Sequence, residues 1–463
     1  MLTEARLAHP TEVAVALNRF GLGARPDEQA PADPKSWLVA QFESYQANPA
    51  AFAGAQGSAA LGAGYAEAAN EAKNADAAEK MAALKTARQQ ARALYRDEVD
   101  LRVRASLDTP APFVERLVHF WSNHFAVSAE KPQVTMMAGA FEREAIRPHV
   151  LGRFEDMLLA VEHHPAMLLY LDQASSIGPN SGFASRAADR KGKRKPGINE
   201  NLAREIMELH TLGVRSGYTQ ADVTEFALAL TGFGIGRARY PETAGGAFAF
   251  RPALHEPGER TIMGETYGQD GQQQPLGVLR DLAAAEATAT HIATKLARHF
   301  IADDPPAAAV ARLADAFRRS KGDLVPVYRA LIGSPEAWRP APAKFKTPWE
   351  WTISALRGLG LRDFDKPRLA QLLNQLGQPV WRPGSPAGYD DVGGSWAAPD
   401  ALLRRVEVAQ RLAAQIGDID PRELAQKLFA GPPGDMTAVE VARAESQRTG
   451  LALLLVSPDF QRR

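Results

Sequence analysis

The sequence predicts an all-α fold, a large multi-helix globular bundle with small irregular insertions. Two observations carry that reading. Strong helix formers fill whole segments without Gly or Pro, most clearly over 75–106. Few segments alternate with the period of two that a half-buried strand requires, whereas apolar residues recur at helical spacing along most of the chain. With 45% hydrophobic and 23% charged residues, the chain has enough apolar surface to close a core.

One helical body is expected over 1–463, in four stretches. A short helix at Glu12–Phe20 ends at Gly21-Leu22-Gly23, and another follows near 36–45. The stretch 46–110 is rich in Ala, Glu, Lys, Arg and Gln, and its 75–106 part reads as one long packing or bridging helix. The stretch 111–235 is the motif-bearing core, with helices near 112–127, 133–145, 153–161, 200–213 and 220–231. A loop at 175–197 carries the basic run Arg190–Lys195, most simply a solvated loop. The stretch 236–280, rich in Gly, Pro, Thr and Gln, reads as a hairpin or irregular lid-like insertion. Helices then fill 281–463, near 282–300, 306–319, 322–332, 347–358, 366–374, 399–415, 421–429 and 436–455. An ordered loop spans 378–396, and its aromatics, Trp381 among them, either rim a groove or pack onto the body.

Charge and cysteine content exclude several functions. Lys+Arg and Asp+Glu both number 54, so the basic excess of a nucleic-acid binder is missing. There is no cysteine, which rules out disulfides, thiolate metal sites and cysteine nucleophiles. No apolar run is long enough to span a bilayer, Leu451–Val456 included. Met1–Arg6 lacks the apolar core of a signal peptide, so a cytoplasmic location is expected ahead of a periplasmic one.

Two predicted helices carry ionisable residues on apolar faces. On Phe113–Phe125, at 100° per residue, His124 falls about 20° from Phe113, inside the stripe of Phe113, Leu117, Phe120 and Trp121. His119 lies about 140° from His124, so the pair lacks the spacing of a zinc-protease motif. On the second helix, with Asn199 as N-cap, Glu205 projects between Leu209 and Leu212, flanked by Asn201 and Glu208. His210 points away. A carboxylate in such a stripe must be paired, protonated or bound to metal. Burial is therefore expected for His124 and Glu205, and exposure for His119 and His210.

The segment Phe120-Trp121-Ser122-Asn123-His124-Phe125 resembles a signature of the bacterial family called domain of unknown function 1800. The likeness continues through Pro165–Asp172, Asn199–Glu205, Glu208, Thr211–Gly213, Tyr218-Thr219 and Leu230–Gly232. It extends to Leu254–Gly258, with Glu256 where Asp is usual, to Lys346–Pro348 and to Ser457–Arg463. Ser122 stands where many members carry His. The resemblance implies a helical bacterial protein, often encoded beside a sulfatase-like family that tends to be exported, and brings no settled activity.

Two functions are open at this level. In the first, His124, Glu205, Glu208 and His255 converge between core helices under the 236–280 segment. They would serve as ligands for a divalent metal (Zn, Fe or Mn) or as acid and base of a hydrolase. His124 and Glu205 would be catalytic, with Asn123, Asn201 and Trp381 contacting substrate. In the second, the protein is a non-enzymatic binding or accessory factor for a sulfatase-like partner, and its buried polar groups are structural.

Overall fold

The computed structural model describes residues 11–74, 76–188, 197–236, 246–340, 344–362, 368–417 and 419–463. The basic run 190–195 and the chain start lie outside them. The protein is 62% helical and 4% strand, as the sequence reading requires.

The Ala-rich stretch folds as a helical hairpin, Ser58–Asn74 followed by Ala77–Asp108. Asp76 starts the long arm through a capping box with Glu79, each side chain accepting from the other residue's backbone N–H. The 236–280 insertion contributes Phe248–Phe250, which pairs antiparallel with Phe233–Ile235 just before it, and a small antiparallel hairpin of Arg260–Ile262 with Glu265–Tyr267.

The Pro112–His124 helix lies at the centre of the body. Its apolar stripe is fully buried at Phe113, Leu117 and Trp121, but so is Glu115 on the opposite side. Glu115 survives there because Arg147 grips both its oxygens, at 2.8 and 2.7 Å. A helix enclosed all round has no solvent face to give its polar residues. His119 is accordingly only 9% exposed at its side chain, against the exposure expected for it. Trp121 donates its indole N–H to the Tyr328 hydroxyl at 2.7 Å, which donates onward to the Val150 carbonyl at 2.9 Å. Phe20, Phe113 and Phe300 pack edge and face with centroids 5.6–5.8 Å apart.

The second motif helix departs from ideal geometry. Asn201–Glu205 is α-helical, but Ile206–His210 is a π-helical turn. A π-turn accommodates an extra residue and shifts the phase of everything after it. His210, at the end of that turn, is fully buried, and Glu205, which precedes it, is only half-buried, the reverse of the ideal-wheel expectation. Inside the core, His210 Nδ1 meets Glu162 Oε1 at 2.8 Å, and Glu162 is also fully buried.

Candidate functional site

One cleft of about 250 Å³ opens where three elements meet. The C-terminal end of the Pro112–His124 helix supplies Ser122, Asn123 and His124. The Glu286–Phe300 helix supplies Lys295, Arg298 and His299, and residues 347–350 open the Pro348–Gly358 helix. The outer wall is the loop 378–392, held by several bonds to the body. Asn123 Nδ2 donates to the Tyr389 carbonyl at 2.9 Å, and Tyr389 N–H donates back to Asn123 Oδ1 at 2.8 Å. Tyr95 donates its hydroxyl to Val380 O at 2.7 Å. Trp381, with φ of +50°, donates its indole N–H to Glu142 Oε2 at 3.1 Å. None of the wall residues comes from 236–280, so among the described residues the cover over this cleft is the 378–392 loop, not the insertion.

The floor is a network of buried charges. Glu350 Oε1 takes Arg463 Nη2 at 2.7 Å and also bonds Arg116, while Oε2 accepts the Thr347 N–H at 2.9 Å. Burial alone would raise its pKa, but Arg463 and Arg116 outweigh burial and hold it well below the carboxylate range. Asp391 Oδ2 lies 2.7 Å from His299 Nδ1, and its Oδ1 is 3.3 Å from Lys344 Nζ. Burial opposes charge on Asp391 too, yet His299 and Lys344 bring its pKa down to about 2. An ionised Asp391 can only accept, so the proton between them sits on His299 Nδ1. Burial lowers the His299 pKa against the pull of Asp391, which leaves a neutral imidazole at pH 7. Its Nε2 is buried without a hydrogen-bond partner among the described residues.

Lys295 lies one helical turn before His299, on the same helix face. It makes no hydrogen bond or ion pair with any described residue. Burial, helped by Arg298 and resisted by Asp391, pushes its pKa down to about 8.

The residues singled out in the sequence separate into two groups. Asn123, His124 and Trp381 line this cleft; Asn201, Glu205, Glu208 and His255 do not. His124 Nε2 donates to the carbonyl of His210 at 3.1 Å, and His291 Nε2 donates to that of Leu209 at 3.1 Å. Two imidazoles thus satisfy carbonyls left free where the π-turn ends. The remaining nitrogen of His124, Nδ1, is buried without a partner among the described residues. His119 accepts the Trp349 indole N–H on Nδ1 at 3.1 Å, so its proton is on Nε2, facing Ser106 Oγ at 3.2 Å.

His255 donates from Nδ1 to Thr231 O at 2.8 Å, and its neighbour Glu256 binds Asn180 N–H at 2.8 Å and Nδ2 at 2.6 Å. That motif locks one loop onto another. Glu208 faces the Tyr218 hydroxyl, and Asn201 is exposed. Among the described residues no three His, Cys, Asp or Glu side chains are placed to hold a metal ion. His124, Glu205, Glu208 and His255 therefore do not form the ligand set expected of them.

Sequence reasoning missed Lys295, His299 and Glu350. A usable signal was present, since His291, Lys295 and His299 recur at a spacing of four, which places them on one helix face. Nothing local marks Glu350 beyond its place as third residue of a capping box opened by Thr347.

No helix among the described residues is long and apolar enough to cross a membrane. Neither a curated protein nor a solved structure matches the chain. The model of one family, described as protein of unknown function DUF1800, matches residues 15–462, nearly the whole length. The chain belongs to that family.

Proposed function

We propose that the protein is an enzyme that hydrolyses a small molecule bound in the cleft, with His299 as general base and Asp391 as its positioning partner. The observation that carries this is the 2.7 Å contact of His299 Nδ1 with Asp391, on a residue that lines the cleft and whose Nε2 is left buried without a partner among the described residues. A neutral imidazole whose tautomer is fixed by a carboxylate is the standard device for taking a proton from water or a hydroxyl. As Nε2 accepts that proton, Asp391 stabilises the imidazolium, and Lys295 supplies positive charge for the negative charge that develops on the substrate. Ser122 brings a hydroxyl to the same cleft as an alternative nucleophile to water.

The test is turnover of p-nitrophenyl acetate, phosphate and sulfate by the parent and by His299→Asn. General-base catalysis typically contributes on the order of 10²–10⁴-fold, and a loss of that size is expected for the variant. No turnover of any of the three, or equal turnover by both proteins, counts against the reading.

The non-enzymatic reading draws on a different observation. Met81 and Leu84 on the long helix are 71% and 43% exposed, an apolar pair one helical turn apart on its surface. An accessory factor would dock its partner, a sulfatase-like protein in the case implied by the resemblance, on that helix. Co-purification of such a protein with the parent but not with a Met81→Glu, Leu84→Glu variant would favour it.

A further inference from the structure

We infer that the ligand of this cleft carries an anionic group and that Lys295 is the residue that binds it. This deepens the hydrolase reading and rests on it for the location of the site, but the observation beneath it is a charge balance. The acidic groups around the cleft are already committed. Glu350 is shared by two guanidinium groups, those of Arg116 and Arg463. Asp391 is divided between His299 and Lys344, and Glu142 is taken by Arg102 at 2.8 Å. Asp390 is exposed and turned to the Ser395 hydroxyl at 2.8 Å.

Two cations remain. Lys295 has no bonded partner among the described residues, and Arg298 makes only an Nε–H bond to the Asp303 carbonyl at 3.2 Å. Lys295 is half-buried in the cleft wall beside Arg298, and a cation so placed is stabilised when an anion joins it. Among the described residues the carboxylate that acts on Lys295 is Asp391, and it is already engaged by His299 and Lys344, so a ligand anion is the counter-ion left to pair with Lys295. A ligand whose carboxylate, phosphate or sulfate oxygens accept from Lys295 would be held one helical turn from His299. The apolar wall of Phe120, Val127, Trp349 and Val380 would then receive the rest of that ligand.

The experiment measures binding, so it stands apart from turnover. Inorganic phosphate, sulfate and acetate are each titrated calorimetrically, at constant ionic strength set with chloride, into the parent, Lys295→Met, Lys295→Arg and His299→Asn. Thermal melts of the same samples are recorded alongside. At least one anion is expected to bind the parent and raise its melting temperature. Affinity should fall at least about tenfold in Lys295→Met, the order of one lost charge-assisted hydrogen bond, recover in Lys295→Arg, and persist in His299→Asn. Which anion binds best separates phosphate, sulfate and carboxylate ligands.

Without added anion, Lys295→Met should melt no lower than the parent, because it removes a half-buried cation that has no bonded partner among the described residues. Failure of all three anions to outdo chloride, equal binding by Lys295→Met, or a lower melting temperature for that variant would each overturn the inference. Binding without turnover would instead remove the hydrolase reading and leave this one standing.

Discussion

Asn123 and Tyr389, 266 residues apart in sequence, exchange two hydrogen bonds between one side chain and one backbone unit. The amide of Asn123 matches the N–H and the C=O of one residue in both directions, and Asp or Ala could not. This explains why an Asn sits in the Trp-Ser-Asn-His segment without contacting any chemistry itself: it pins the wall of the cleft. Asn123→Ala should cost about 1–3 kcal/mol, since the Tyr389 N–H and carbonyl lose their partners. Amide exchange in 385–392 should quicken while the Pro112–His124 helix stays protected. Unchanged exchange in that loop would show that other bonds fix it.

The enclosed Glu115–Arg147 pair makes a sharper stability prediction. Both side chains are at most 1% exposed. Removing one partner strands a charge in the core, and Arg147→Met should cost about 3–5 kcal/mol. Glu115→Leu combined with Arg147→Met removes both charges and should recover most of that loss. Denaturant midpoints of the two variants check it, and a double variant no better than the single one would mean the pair organises its surroundings beyond its own charge.

Glu205 is half-buried, and burial raises its pKa, with Glu208 adding to the shift and His210 opposing it. It forms no hydrogen bond or ion pair among the described residues. Glu205→Gln keeps the shape and removes the charge, so its melting temperature at pH 7 should equal or exceed that of the parent. A clear drop by calorimetry would reveal a partner that Glu205 needs.

Acid should weaken the fold well before the carboxylates titrate. Burial brings His119 and His291 to about 4, from an ordinary value of 6.5. The unfolded chain takes up these protons as pH falls through 6.5, while the folded chain resists until about 4. Stability is therefore greatest above 6.5 and declines as pH falls between those values. His124 and His299 shift the same way. Glu98 and Glu205, raised by burial, act in the opposite direction but are fewer. Asp391, at about 2, contributes stability above its unfolded value of about 4 that is lost as pH falls towards 2. Melting temperatures across pH 4–8 should slope downward from 6.5, and a flat profile would contradict this account of the histidines.

How much of this could be read from the sequence depends on whether local periodicity controls the feature. Helix content, the long arm and the burial of His124 follow from 3.6-residue spacing and were legible. His210 was misplaced, and Glu205 was placed against the wrong neighbours, because a π-turn at Ile206–His210 breaks the spacing of the residues after Glu205, and nothing in Ile-Met-Glu-Leu-His announces it. His119 was expected outside because an amphipathic wheel assumes a solvent face, which a central helix lacks. The cleft was least legible of all. Asn123 and His124 were singled out, but His299 and Asp391 lie 92 residues apart and meet only through tertiary folding.

The most direct test of the central claim is a nitrogen-edited NMR titration of the histidine rings with the best-binding anion. If the cleft under the 378–392 loop is the functional site, His299, in the cleft wall, should shift most, with smaller shifts at His119 and His124. Before ligand is added, His299 should show a protonated Nδ1 and a bare Nε2 at pH 7. His163 and His255, which are not part of the wall, should not move. Shifts centred on His255 with His299 unmoved, or an Nε2-protonated His299, would contradict the account.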